Sequence, residues 1–278
     1  MRRFLAAVLC AVIAGVAGLL GIGGGELRLP VLLSFLGLAV RAAIAVNLGV
    51  GVATLATSFV RRASEGALAE VQPWAALVWV FVLASLLGSA IGVLWANRSR
   101  EAGLATALRI YLFAIGALLI LEAFFHFPQA NLGPDDVGTL IIAGACGVAI
   151  GWIATVFGVA GGEMRIPVLI FVFGIPIKVA GTISTIVALP AVLFAFVRFA
   201  RGGHVKTRST WSLIVILGLA SVIGATVGVT LLPAVSDTFL RLLLAFVLLV
   251  SALRLRPKVE EAARRRDQVA DAAIADLP

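Results

Sequence analysis

The stretch GIGGGELRLPVL, residues 21–32, decides how this chain is read. Three consecutive glycines, Gly23, Gly24 and Gly25, precede Glu26, Arg28 and Pro30, all inside a long apolar run. Each glycine costs a helix interior about 1 kcal/mol relative to Ala, and a proline about 3 kcal/mol. The run therefore predicts a broken helix with unpaired backbone N–H and C=O groups. In lipid such a break is tolerated only where it is buried in protein or lines a watery cavity. A second stretch, GVAGGEMRIPVL at 158–169, repeats the pattern.

The surroundings are those of a membrane. The chain has 278 residues, 62% of them hydrophobic, with a mean hydropathy of +1.13. Charged residues make up 13%, about half of the ~25% usual in soluble domains. Apolar segments run at 4–20, 29–38, 42–60, 74–96, 104–125, 137–157, 166–177, 179–197, 211–232 and 238–253. Most are long enough to span as helices, which takes about 20 residues. The second and seventh are short, and each follows a glycine cluster. The net charge of +8 does not indicate nucleic acid, because the basic residues sit in short loops and the C-terminal tail, where topology signals lie. Cys10 and Cys146 are too few for a disulfide framework and read as small packing residues.

The two stretches belong to a longer duplication with a constant offset of 137 residues. Gly21, Gly24, Gly25, Glu26, Arg28 and Pro30 recur as Gly158, Gly161, Gly162, Glu163, Arg165 and Pro167. Further along, Gly37 meets Gly174, Arg61 meets Arg198, Gly66 meets Gly203 and Trp74 meets Trp211. After the loss of one residue, Gly88 and Gly92 meet Gly224 and Gly228, a G-x-x-x-G that lets helices approach closely in lipid. A fixed long period marks an internal repeat. The expected organisation is a first transmembrane repeat over 1–125, a linker loop at 126–136, a second repeat over 137–253 and a charged cytoplasmic tail at 254–278. Residues 4–20 correspond to 141–157, so the N-terminal segment, although it resembles a signal peptide, is expected to stay as a helix. The fold class is an all-α polytopic membrane protein of eight to ten segments. The Lys/Arg bias places both termini in the cytoplasm. If the short segments cross, each half has five crossings and the halves are inverted; if they are re-entrant, each half has four. The five-crossing arrangement is favoured.

The motifs carry the candidate chemistry. The short helices are expected to start near Glu26 and Glu163, with Pro30 and Pro167 early in each. Their free N–H groups and positive dipole ends would then face the breaks, a ready anion site. Unwound segments at equivalent places in two repeats point to a transporter's substrate site. Intramembrane ionisable groups are expensive and usually functional. Residues two apart do not face each other on a helix, so the natural ion pairs are Glu26 with Arg165 and Glu163 with Arg28. The candidate substrate-binding set is Gly23, Gly24, Gly25, Glu26, Arg28, Asn47, Gly161, Gly162, Glu163, Arg165, Thr182, Ser184 and Thr185. The bland alternatives are ion pairs that only lock the repeats together, and hydroxyls that bond back to their own helix.

These residues resemble the sulfite exporter TauE/SafE family: two repeats, each with a glycine cluster and P-x-L, followed by VRAAIAVNL in the first half and IKVAGTIST in the second. The resemblance spans about residues 4 to 253. It implies a secondary transporter, an exporter of small anions such as sulfite or organosulfonates, working by alternating access around the glycine motifs. The doubled E-x-R departs from the family's usual apolar positions and marks a subgroup. The partners expected are a small anion and the lipid bilayer, with a homodimer as the assembly considered; no nucleic acid, cofactor or metal is expected. An enzyme is disfavoured: there is no H-E-x-x-H, and His126 and His204 both fall in loops. No phosphate-binding G-x-x-x-x-G-K-[ST] suggests an ATP-driven pump. The rivals are a channel or cation or metal transporter using Glu26 and Glu163, and a non-transporting scaffold, which leaves the doubled break unexplained.

Overall fold

The computed structural model describes residues 2–96, 121, 136–205 and 208–254. Apart from Leu121 and Asp136, the expected 104–125 segment and 126–136 linker lie outside the described residues, as does the tail beyond Arg254. The described residues are helical throughout, without strands. The helices are α1 (Arg2–Leu20), α2 (Gly25–Pro30, continued by a π turn over Val31–Phe35), α3 (Val40–Ser64), α4 (Ala67–Val71), α5 (Ala75–Ala96), α6 (Val137–Phe157), α7 (Gly162–Phe171), α8 (Ile177–Phe199), α9 (Arg208–Leu231) and α10 (Asp237–Arg254). Six of these elements, α1, α3, α5, α6, α8 and α9, are long and apolar enough to cross a membrane.

Two layers are evident. In α3 and α8, 67% of the spanning window is buried, against 39–50% in α1, α5, α6 and α9. The pair α3/α8 is therefore the centre and the other four surround it. The outer helices turn Phe4, Trp79, Leu83, Val137, Leu219 and Ile223 outward, each more than half exposed, as a lipid-facing surface requires. Lipid is as apolar as Leu, so close packing rather than hydrophobic burial holds such helices together. The glycine spacing supplies that closeness. Gly224 and Gly228 of α9 lie directly on the backbone of Ala11 and Gly15 of α1, and Gly88 and Gly92 of α5 lie on Val148 and Trp152 of α6. Trp95 and Trp152 close the α5–α6 seam edge to face, with ring centroids 5.3 Å apart.

Helix directions follow from these contacts. Gly49 faces Phe196, Gly51 faces Val192, and Arg62 donates to the Lys178 carbonyl, so α3 and α8 run antiparallel. Gly218 faces Ala53 and Arg61 reaches Thr230 at 3.1 Å, so α3 runs parallel to α9, as α1 does. Two successive long helices that run the same way need a return between them, and residues 21–39 provide it. Gly21 lies against Gly181, at the Arg62 end of α3; Gly25 lies on Asn47; the chain then closes toward α3 through Leu38 N–H to Leu32 C=O at 3.1 Å. The middle of this return, residues 25–35, is short helix, and non-helical chain with left-handed glycines flanks it on both sides.

The backbone repeats the 137-residue spacing in detail. All eight left-handed glycines pair at that offset: Gly21 with Gly158, Gly24 with Gly161, Gly37 with Gly174 and Gly66 with Gly203. The Leu38–Leu32 bond has its counterpart in Ile175 N–H to Leu169 C=O at 3.0 Å. One local expectation changes. Pro30 and Pro167 stand sixth in their short helices, not in the first turn, because each helix opens directly after the left-handed Gly24 or Gly161. A proline there removes the bond to the carbonyl four residues back, that of Glu26 or Glu163. After Pro30 the helix widens into the π turn, one form of relief for that clash.

Candidate functional site

The glycine breaks meet at the centre of the molecule. Gly23 touches Ala160, Gly25 packs on Val159 and Gly162 packs on Ile22. Gly23 and Ala160 are counterparts, so each half faces its own equivalent here across a local two-fold. A methyl on Gly23 would collide with the Ala160 methyl, so the contact has room for one Cβ and not two. That explains why the second motif reads GVAGG where the first reads GIGGG.

Asn47 of α3 ties the halves together. Its side-chain N–H groups donate to the Gly158 carbonyl at 2.7 Å and the Gly25 carbonyl at 3.3 Å. Gly158 closes α6, so its carbonyl has no partner in the helix ladder, whereas the Gly25 carbonyl belongs to the first residue of α2. Beside them lies a cavity of about 10 Å³ lined by Gly23, Gly25, Asn47, Gly51, Gly158 and Ala160 among others. That is room for about one water and none for a polyatomic anion, so this conformation is closed around its centre.

The terminal nitrogens of both arginines donate to protein oxygens. Arg28, 0% exposed, donates to Asn47 Oδ1 at 3.2 Å and Asn47 C=O at 3.4 Å. It also donates to Gly23 C=O and Thr54 Oγ1, both at 3.2 Å. Arg165 repeats the theme, donating to Ser184 C=O at 3.2 Å; Ser184 is the counterpart of Asn47. Each arginine thus pins a short helix to the long helix that follows it. The expected Glu26–Arg165 and Glu163–Arg28 ion pairs do not form. The local two-fold sets equivalent residues face to face, so glutamate meets glutamate: the Glu163 carboxyl lies within hydrogen-bonding reach of the Glu26 carboxyl. Both residues are 0% exposed, and none of the four carboxyl oxygens has a hydrogen-bond partner among the described residues.

The remaining candidates divide. Gly24 and Gly161 supply the left-handed residues from which α2 and α7 start. Gly162 has Ser184 Oγ close by, and Thr185 donates to its own Gly181 carbonyl at 2.9 Å and to Gly21 C=O at 3.5 Å. Thr182 lies away from the centre, bonded back to Lys178 C=O at 3.1 Å and accepting from Arg62 at 2.9 Å. Two further residues belong to the same framework. Thr54 stands two turns after Asn47 on one face of α3, a helical spacing the sequence does show. Arg62, 1% exposed, reads as a loop cation in sequence. It actually caps the last carbonyls of α1, Gly18 and Leu19, at 3.0 Å each.

No curated protein and no solved structure matches the chain. The family model described as sulfite exporter TauE/SafE matches residues 6–255, nearly the whole length and both glycine breaks. With six helices among the described residues long and apolar enough to cross a membrane, the chain belongs to the TauE/SafE family of membrane transporters.

Proposed function

We propose that this protein is a secondary transporter that exports small anions, sulfur-containing ones such as sulfite or organosulfonates, by alternating access around the two breaks. The observation that carries the reading is the meeting of both broken segments, one from each half, at a buried cavity bridged by Asn47. Non-helical backbone at membrane depth has a purpose where it faces a site, and here it faces the opposite half. The antiparallel α3 and α8 and the paired glycines support two inverted repeats over 1–125 and 137–253. Rocking one repeat against the other would open the closed centre to either side. An opened site would present the N-terminal ends of α2 and α7, with Asn47, Ser184 and Thr185 beside them. Arg28 and Arg165 would add positive potential without leaving their protein partners.

Flux into liposomes tests the reading. Purified protein should carry labelled sulfite or methanesulfonate across the bilayer, and neither potassium nor zinc. The meeting of two carboxyls at the centre favours a second reading, a cation carrier. Cation flux without anion flux would establish that instead, and no flux of either kind would leave a scaffold.

A further inference from the structure

The two glutamates are the one charged feature of the centre that the framework does not use. Arg28 binds Asn47, Gly23 and Thr54, and Arg165 binds Ser184. Glu26 and Glu163 bind neither. Each is wholly buried, one comes from each half, no described side chain donates to their oxygens, and the two carboxyls neighbour each other. Two carboxylates in contact in a low-dielectric interior cannot both stay ionised; a proton between them turns the repulsion into a hydrogen bond.

We propose that Glu26 and Glu163 form a shared proton site, and that its occupation by one proton is the condition for an anion to occupy the cavity beside it, so that anion and proton cross together. The balance is simple. The protonated pair carries one negative charge and the bare pair two. With the proton present the carboxyls attract, the short helices α2 and α7 are held together and an incoming anion meets the smaller charge. On release of the proton to the aqueous side, the carboxylates repel and the anion is expelled. This rests on the transport reading above.

The surrounding groups fit a site of this kind. The charges within electrostatic reach are Arg28 and Arg165, each already held by neutral protein oxygens. Cys10 of α1 lies on Arg28. From α3 the facing groups are Asn47 and Thr54, and from α8 Ser184 and Thr185, none of which titrates in the working range. The helix packed over α2, α10, carries the partly exposed Arg241. The cations are near enough to stabilise the single remaining charge, and no described side chain donates to the pair in the proton's place.

Two measurements test the proposal on the full-length protein. Infrared difference spectra of wild type against Glu163→Gln, at neutral pH, should show one protonated-carboxyl band in wild type only. The glutamine amide can donate to Glu26, which then needs no proton. In liposomes holding a pH dye, an outward methanesulfonate gradient should carry protons out with the anion in wild type. Whatever anion flux remains in Glu163→Gln or Glu26→Gln should carry none and should not respond to a pH gradient. Absence of the band in wild type overturns the proposal, and so does proton movement with the anion in either variant at the wild-type ratio. A band in wild type with no flux of any anion would establish the shared proton and sink the transport reading instead.

Discussion

Replacing Asn47 by leucine, a side chain of nearly the same shape, should destabilise the protein by far more than a typical membrane hydrogen bond would suggest. Asn47 makes two donations, to Gly158 C=O at 2.7 Å and Gly25 C=O at 3.3 Å, and accepts one bond from Arg28 at 3.2 Å. At the ~0.6 kcal/mol average measured for hydrogen bonds between membrane helices, three such bonds come to roughly 2 kcal/mol. That average reflects groups that find other partners, and here they differ in what is left to them. Gly25 C=O sits at the start of α2 and keeps access to the helix ladder. Gly158 C=O lies in a break with no such recourse, and an orphaned buried acceptor costs about 1–3 kcal/mol. Arg28 loses one of its acceptors, and a bond to a charged group is worth about 1.5–3 kcal/mol. The expected total is therefore about 4 kcal/mol. Water is a poor substitute, because the adjoining cavity of about 10 Å³ holds about one molecule and leucine opens no further space. Reversible unfolding in mixed micelles would measure the loss. Thr226→Val is the control: the side chain of this half-buried threonine bonds only to the Val222 carbonyl of its own helix and should change stability by no more than about 0.5 kcal/mol. A loss below about 1 kcal/mol for Asn47→Leu would refute the claim that this side chain fastens the two breaks to each other.

The other expectations are more quickly stated. Arg28→Ala and Arg165→Ala should each lower anion flux by about tenfold or more, some 1.4 kcal/mol in the barrier, whereas exposed Arg201→Ala should match wild type; wild-type flux in both motif variants would leave the arginines without a part in transport. Cysteines at Ser64 and Ser236 should be labelled from one face of the membrane and a cysteine at Arg201 from the other, since α3 and α8 are antiparallel; labelling of Ser64 and Arg201 from the same side would sink the inverted arrangement. Gly228→Leu should drive a side chain into the backbone of Gly15 and cost about 3 kcal/mol or more, the upper end for overpacking, while Gly37→Ala, at φ +67° with open space around it, should cost only the left-handed strain of about 1–2 kcal/mol; a loss below about 1 kcal/mol at Gly228 in the same unfolding assay would mean that the α1–α9 seam is not tightly packed.

Much of this architecture is legible in the sequence, for reasons that differ by element. The spanning helices follow from apolar runs long enough to cross lipid. The breaks follow from Gly23–Gly25 and Gly161–Gly162, because nothing but a left-handed or extended turn uses so many glycines beside a proline. The seams of α5 with α6 and of α9 with α1 follow from G-x-x-x-G, although the spacing does not say that each packs across the halves rather than within one. Arg62 was illegible because a cation after an apolar run ordinarily marks the water boundary. Only the fold shows that α1 ends beside it with bare carbonyls at Gly18 and Leu19.

The charges at the centre show where reading by sequence stops. A doubled E-x-R says that two glutamates and two arginines lie at membrane depth, but not which of them meet. That depends on where the local two-fold passes. If it runs beside the motif, a residue of one half faces a different residue of the other, and glutamate pairs with arginine. If it runs through the motif, each residue faces its own counterpart, and glutamate meets glutamate. Pairing opposite charges is the lower-energy guess, yet the backbone overrides it. Gly23 and Ala160 touch each other, which fixes the axis at the motif itself, and the arginines find neutral oxygens on α3 and α8 instead. The sequence holds one trace of this, the alanine at 160 where the first half has glycine. A position on the axis is the one place in a duplicated chain where the two copies compete for the same space. A mismatch inside an otherwise matched glycine cluster is therefore a signal for the axis, and the charged residues nearest to it are those to expect face to face with their own kind.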